Sequence, residues 1–216
     1  MQGYSPKELL EFIEKSPTCF HVVNTLEGIL HAGGFEKLQE SHRWTLRPGG
    51  KYYVTRNGSS IIAFCVPKVI EGFHIMATHS DSPTFKLKEL PEISVEKKYT
   101  KLNVEGYGGM LMSTWFDRPL SAAGRLLVRD GERIISKLVN VDRDLLLIPS
   151  LAIHMNRGVN EGYKFNVQKD LLPLYGDENV SGTFMAVVAE AARVDVQHIM
   201  GHDLFLYPRV HGSIWG

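Results

Sequence analysis

The hydrophobic and polar positions of the chain fall into short blocks whose period changes along its length. Near the start, Leu9, Leu10 and Ile13 recur at helical spacing. Ser5 precedes them as a candidate N-cap, Pro6 occupies the first helical position and Glu8 the third, which together spell a capping box. Ser16-Pro17 ends this helix. Phe20 to Leu30 predicts a second helix, stopped by Gly33-Gly34, and the pair reads as a cap packed on a sheet. Lys51 to Arg56 then alternates, Asn57-Gly58 is a type I′ turn signal, and Ser60 to Val66 returns as an apolar strand. Gly72 to Thr78 predicts a further strand, buried and central by its composition, with His74 alternating inside it. It runs directly into His79-Ser80-Asp81-Ser82-Pro83.

After Pro83 strand candidates recur at hairpin spacing: Phe85 to Leu87, Thr100 to Val104, Gly124 to Arg129 and Arg133 to Val139. Glycines 106, 108 and 109 and the pair Asp130-Gly131 punctuate them. Glu178 to Val194 predicts one helix capped by Ser181, Asp195 to Met200 a helical turn, and Leu204 to Tyr207 a strand. The fold class expected is α/β, a partial sheet with a β-rich module inserted after one of its strands. An apolar strand followed by Ile214-Trp215-Gly216, with no closing element, suggests an incomplete domain.

Composition narrows the function classes. The 216 residues are 44% hydrophobic and 22% charged, a balance unlike that of a disordered or low-complexity chain. Lys+Arg and Asp+Glu both number 24, so the basic surplus of a nucleic-acid binder is missing. No apolar run approaches the ~20 residues that span a bilayer, and residues 1–14 lack the apolar core of a signal peptide. The two cysteines, Cys19 and Cys65, exclude a disulfide framework and a CxxC site. Two buried, reduced thiols in a cytoplasmic protein are expected. Phosphate-loop, dinucleotide, serine-hydrolase and HExxH signatures are all absent, and Gly106-Tyr107-Gly108-Gly109 reads as a turn.

The informative site is His79-Ser80-Asp81. On an extended backbone, residues two apart point the same way, so imidazole and carboxylate project together from a strand end. That is where open α/β sheets place ligands. Imidazole suits a first-row metal, and a neighbouring carboxylate can fix its tautomer. By itself HxD is short and common, and a surface His and Asp at a strand end fit it as well. In Trp115-Phe116-Asp117-Arg118 the aromatic neighbours favour packing, an interface or an ion pair over an active site. His202 and Asp203 are adjacent on a strand and face opposite ways. Beside an apolar run, His154 reads by pattern as a core histidine.

The wider blocks carry more. His79 to Lys88, Tyr107-Gly-Gly, Ser113 to Arg118, Ser16-Pro17 with Phe20-His21, Tyr53 to Asn57, Ile148 to His154 and Gly201 to Leu204 occur in the order seen in the M18 zinc metalloaminopeptidases, the aspartyl aminopeptidases and their vacuolar relatives. The chain closely resembles that family from about residue 5 onward. The resemblance implies a metallopeptidase sheet of the phosphorylase/hydrolase-like type, with residues 1–83 opening the catalytic domain. It further implies residues 84–203 as an inserted β-rich dimerisation domain, and residues 204–216 as a truncated return to the catalytic domain. It implies His79 as a metal ligand, Asp81 as a catalytic acidic residue supporting the metal centre and the reacting water, and His154 as a histidine bound either to zinc or to substrate in a neighbouring subunit. The cofactor implied is zinc, dinuclear in the complete enzyme. The partners implied are peptide substrates with N-terminal, acidic residues, and further copies of the chain through the inserted domain.

The later blocks of the family, an Arg-Leu-Asp-Asn-type segment, a Glu-Glu pair, another Asp and a C-terminal His, have no counterpart here. The expectation is therefore an enzyme family member that lacks most of its metal site and is inactive alone, with a non-catalytic assembly module as the alternative. A fragment, a split gene product and a degenerate member all fit. A role needing no further segment would have to show turnover without metal.

Overall fold

Ser5 and Glu8 exchange hydrogen bonds between side chain and backbone at the head of α1 (Pro6–Glu14), completing the capping box. The computed structural model describes residues 5–216. The chain divides into two units, one reaching to Ser82 and joined by Ser213–Gly216, the other Pro83–Gly212.

In the first unit α2 (Cys19–Ala32) buries Phe20 and Val23. The apolar stripe of α1 does not follow suit: Leu9 and Ile13 stay exposed, so the two helices do not form the joint cap expected of them. β1 (Glu36–Lys37) runs parallel to β2 (Lys51–Arg56), which pairs antiparallel with β3 (Ser60–Cys65). Asn57 and Gly58 both have positive φ, 54° and 63°, as a type I′ turn requires. β2 buries Tyr52, Tyr53 and Val54, whereas Ile62 of β3 is exposed. Neither Cys19 nor Cys65 forms a disulfide; Cys19 is half-buried and Cys65 exposed, not both buried as expected.

The largest correction concerns Gly72 to Thr78. This stretch is no strand, and Phe73, Ile75 and Met76 are 85%, 87% and 92% exposed, with His74 exposed among them. A strand exists only where a neighbour accepts and donates its backbone hydrogen bonds. The three-stranded ladder ends at β3, and no described strand pairs with residues 72–78. The composition of a central strand is present, but the ladder partners are not.

The second unit is built on a six-stranded antiparallel sheet. β4 (Thr84–Val95) and β5 (Tyr99–Tyr107) form one hairpin, β6 (Leu120–Asp130) and β7 (Arg133–Asn140) another. After a short α3 (Val167–Asp170), β8 (Leu174–Asp177) joins the edge beside β5. α4 (Phe184–Ala192) follows, and β9 (Ile199–Pro208) closes the centre between β6 and β4. The strand order is β7-β6-β9-β4-β5-β8.

One face of this sheet, carrying Phe85, Leu87, Leu102, Val104, Leu126 and Leu204, packs with Phe184 and Val188 of α4 in a continuous core. Gly124 allows β6 to approach β9, since a Cβ there would lie 2.0 Å from the Asp203 carbonyl oxygen. The single helix expected over Glu178 to Val194 is split. A 3-10 turn covers Glu178–Val180, Gly182 takes φ 81°, and α4 starts only at Phe184. Ser181 is therefore no cap.

Candidate functional site

His79 and Asp81 sit on an irregular segment that leads to Pro83 and bends at Ser80, not at the end of a strand as expected. Their side chains nevertheless meet, with His79 Nδ1 and Asp81 Oδ1 2.9 Å apart. An ionised carboxylate only accepts, so Nδ1–H donates and the lone pair of Nε2 points away from Asp81. The imidazole is almost fully exposed and Asp81 about one-third exposed. Between them, Ser80 Oγ donates to the Ser59 carbonyl at 2.8 Å, fastening the segment to the β2–β3 turn. The arrangement is a carboxylate–histidine pair with one imidazole nitrogen free to bind an electrophile.

His154 belongs to the second unit and is exposed on an irregular stretch, not the core histidine its apolar neighbours suggested. Two turns shape that stretch: Met155 N–H donates to Ala152 O at 2.8 Å and Asn156 N–H to Ile153 O at 3.2 Å. Its root is buried, with Ile148 fully inaccessible. Asp117 meets this root. Its N–H donates to Ile148 O at 2.9 Å and its Oδ1 accepts from Ser150 N–H at 2.9 Å. The bonds to Ser150 hold the Asp117 carboxyl below the usual carboxylate range. Its carboxylate thus serves a loop root, not an ion pair with Arg118.

Other titratable groups lie elsewhere. Asp203 pairs with Lys86 and with Arg125, each at 2.9 Å, across the centre of the six-stranded sheet. Burial raises its pKa, but the two cations outweigh burial and the net direction is down. His202 faces away from this network, and burial lowers its pKa. In the first unit His21 Nδ1 lies 2.8 Å from Thr18 Oγ1, and burial lowers its pKa to about 4.

His79 fits a metal in donor type and tautomer. A zinc centre, however, takes at least three protein ligands, and the described residues hold no group of three or more His, Cys, Asp or Glu able to bind an ion. The donor set within the described residues is therefore incomplete. Sequence reasoning found the His79–Asp81 pair through its period of two. It missed what Asp117 does, because a bond to a residue 33 positions away leaves no periodic trace.

Comparison with known proteins agrees with this reading. Residues 12–216 match the family model described as aminopeptidase I zinc metalloprotease (M18). A probable M18 family aminopeptidase 2 of Clostridium novyi is 46% identical, over 97% of this chain and 50% of its own length. The aspartyl aminopeptidase of Dictyostelium discoideum is 44% identical, over 81% of this chain and 37% of its own. Among solved structures, a cryo-EM structure of an Ape4 and Nbr1 complex superposes with TM-score 0.91 at 36% identity, covering 97% of this chain and 45% of that one. The S. cerevisiae mApe1 dodecamer superposes with TM-score 0.76 at 29% identity, covering 97% and 49%. The chain spans about half the length of these relatives or less. On the extent of these matches, this polypeptide belongs to the M18 family of zinc metalloproteases.

Proposed function

We propose that the chain contributes part of the active centre of a metalloaminopeptidase that removes N-terminal, acidic residues from peptides. The observation that carries this reading is the 2.9 Å hydrogen bond between His79 Nδ1 and Asp81 Oδ1, which leaves Nε2 as a ligand. His79 is one zinc ligand. Asp81 orients it and, beside the metal, supports the reacting water. When bound, zinc polarises the scissile carbonyl and acidifies a water. His154 acts on zinc or on substrate at a neighbouring subunit's site, a reading supported by its exposure on a turn. Acidic specificity rests on the likeness to the Dictyostelium aspartyl aminopeptidase.

The second unit is the inserted dimerisation domain expected over residues 84–203, here running on to Gly212 because β9 (Ile199–Pro208) lies within its sheet, and the assembly is a homo-oligomer. Support comes from the independent core of residues 83–212 and from the likeness to a dodecameric relative. With fewer than three grouped donors among its described residues, the chain does not complete a centre alone and is inactive in isolation. No helix among the described residues is long and apolar enough to cross a membrane.

The deciding experiment is hydrolysis of Asp-, Glu- and Leu-amide substrates by the purified chain, with added zinc, with a chelator, and with the family's remaining half co-expressed. Activity restored only by co-expression, lost with chelator and greatest on acidic substrates, is the expected outcome. Turnover by the chain alone would overturn its incompleteness. Silence in every arm, with oligomers detected by light scattering, would leave an assembly module in place of an enzyme part.

A further inference from the structure

We infer that Asp117 is the positioning residue that sets the root of the His154 loop, clamping it on both sides of Pro149. The inference rests on the active-site reading of His154 given above. Asp117 N–H binds Ile148 O and Asp117 Oδ1 receives Ser150 N–H, both at 2.9 Å, so one residue grips the backbone before and after the proline. Pro149 has no N–H of its own and a fixed φ, so the donor that holds this turn must come from a neighbour, here Ser150.

The clamp is anchored at both ends. On one side Ile148 is fully buried and Leu146 nearly so. On the other, Trp115 lies in the core with its ring 5.1 Å from that of Phe85, edge to face. Asp117 itself adopts φ 55°, in the left-handed region where Asp and Asn are the best tolerated non-glycine residues. Beyond Ser150 the chain leaves the core: Leu151, Ile153 and Met155 are exposed, and His154 with them. On the side that precedes the imidazole, the last backbone bonds given to the body of the unit among the described residues are thus those at Ile148 and Ser150. A clamp at that point fixes where His154 is presented while touching neither the imidazole nor any reacting atom.

Three substitutions separate positioning from bulk stability. Asp117→Asn keeps an acceptor oxygen and tolerates the left-handed backbone; Asp117→Gly tolerates the backbone but removes the acceptor; Asp117→Ala removes the acceptor and adds strain. Amide hydrogen exchange on the chain should show Ser150 and the 151–156 segment losing protection about tenfold in the Gly and Ala variants. The Asn variant should stay close to the parent, and amides of β6 and β9 should be unchanged in the Gly and Asn variants. In the co-expressed, active assembly, Asp117→Gly should lower kcat, Asn should restore it, and Asp117→Gly should add nothing once His154→Ala is present. Unchanged exchange at residues 150–156 in the Gly variant would overturn the clamp. Lost protection with full kcat, while His154→Ala alone abolishes activity, would overturn positioning. A silent His154→Ala would sink the proposal through the His154 reading, with the exchange data showing that the clamp exists.

Discussion

The Glu92 carboxylate caps α4 from the neighbouring strand β4: Oε1 accepts the N–H of Phe184 at 2.7 Å and Oε2 that of Gly182 at 2.5 Å. The residue in the N-cap position, Thr183, makes no side-chain cap; its hydroxyl donates instead to Val180 O at 2.6 Å. Negative charge at a helix N-terminus is favoured both by the free N–H groups and by the helix dipole. Glu92→Ala should cost the chain about 1–2 kcal/mol in urea unfolding, and Glu92→Gln about half as much. No loss in Glu92→Ala would show that the carboxylate does not cap α4.

The same substitution at two glycines should have opposite signs. Gly124→Ala drives a methyl into the Asp203 carbonyl and must part β6 from β9, costing about 1–3 kcal/mol or more. Gly28→Ala lies in α2 with nothing within 4 Å of the new carbon and should stabilise the first unit by about 0.5–1 kcal/mol. Thermal unfolding of the two variants reads both; a tolerated Gly124→Ala would contradict the close approach of the strands.

Acid should weaken the chain in two steps, the first unit before the second. His21 is lowered by burial to about 4, against 6.5 for an ordinary histidine. Below pH ~6.5 the unfolded chain protonates His21 while the folded one does not, so stability present above that pH is lost as pH falls toward 4. Each unit of displacement corresponds to about 1.4 kcal/mol, and partial burial of the ring keeps the total to a few at most. The carboxylates respond lower down: Asp117 and Asp203 are both held below the usual range, and their contribution to the second unit fades only as pH drops through their folded values. Urea midpoints between pH 7 and about pH 2 test this, and His21→Gln should flatten the upper step.

Zinc affinity in the assembled protein should depend on both members of the site pair. His79→Ala should abolish one ligand outright. Asp81→Asn, which weakens the hold on Nδ1–H at 2.9 Å, should reduce affinity about 10–100-fold in competition with a chelating dye. Unchanged zinc uptake by both variants would remove the pair from the metal centre.

Exposed apolar residues between 69 and 76 should make the isolated chain adhesive. Val69, Ile70, Phe73, Ile75 and Met76 are each 65% exposed or more. A hydrophobic dye should bind there, and Phe73→Ser with Met76→Ser should lower both dye binding and self-association measured by light scattering. A parent chain that stays monomeric and binds no dye would contradict this.

Much of the molecule was legible along the chain wherever the controlling bonds are local. The Ser5–Glu8 capping box, the Asn57-Gly58 hairpin and the centres of β4 to β7 follow from side-chain periods and turn chemistry spanning a few residues, whereas β8 left no such signal. The His79–Asp81 pair was legible as two chemically matched residues close in sequence, although they meet around a bend at Ser80 rather than along a strand.

Tertiary structure decided the rest. Whether Gly72 to Thr78 is a strand depends on a ladder partner, and composition can favour burial without supplying one. Where α4 begins depends on Glu92, and how the His154 loop leaves the core depends on Asp117. These residues lie 92 and 33 positions from the backbone groups they hold. Periodicity records which side of an element is apolar; it carries no record of which distant carboxylate will satisfy an N–H left over at an element's end.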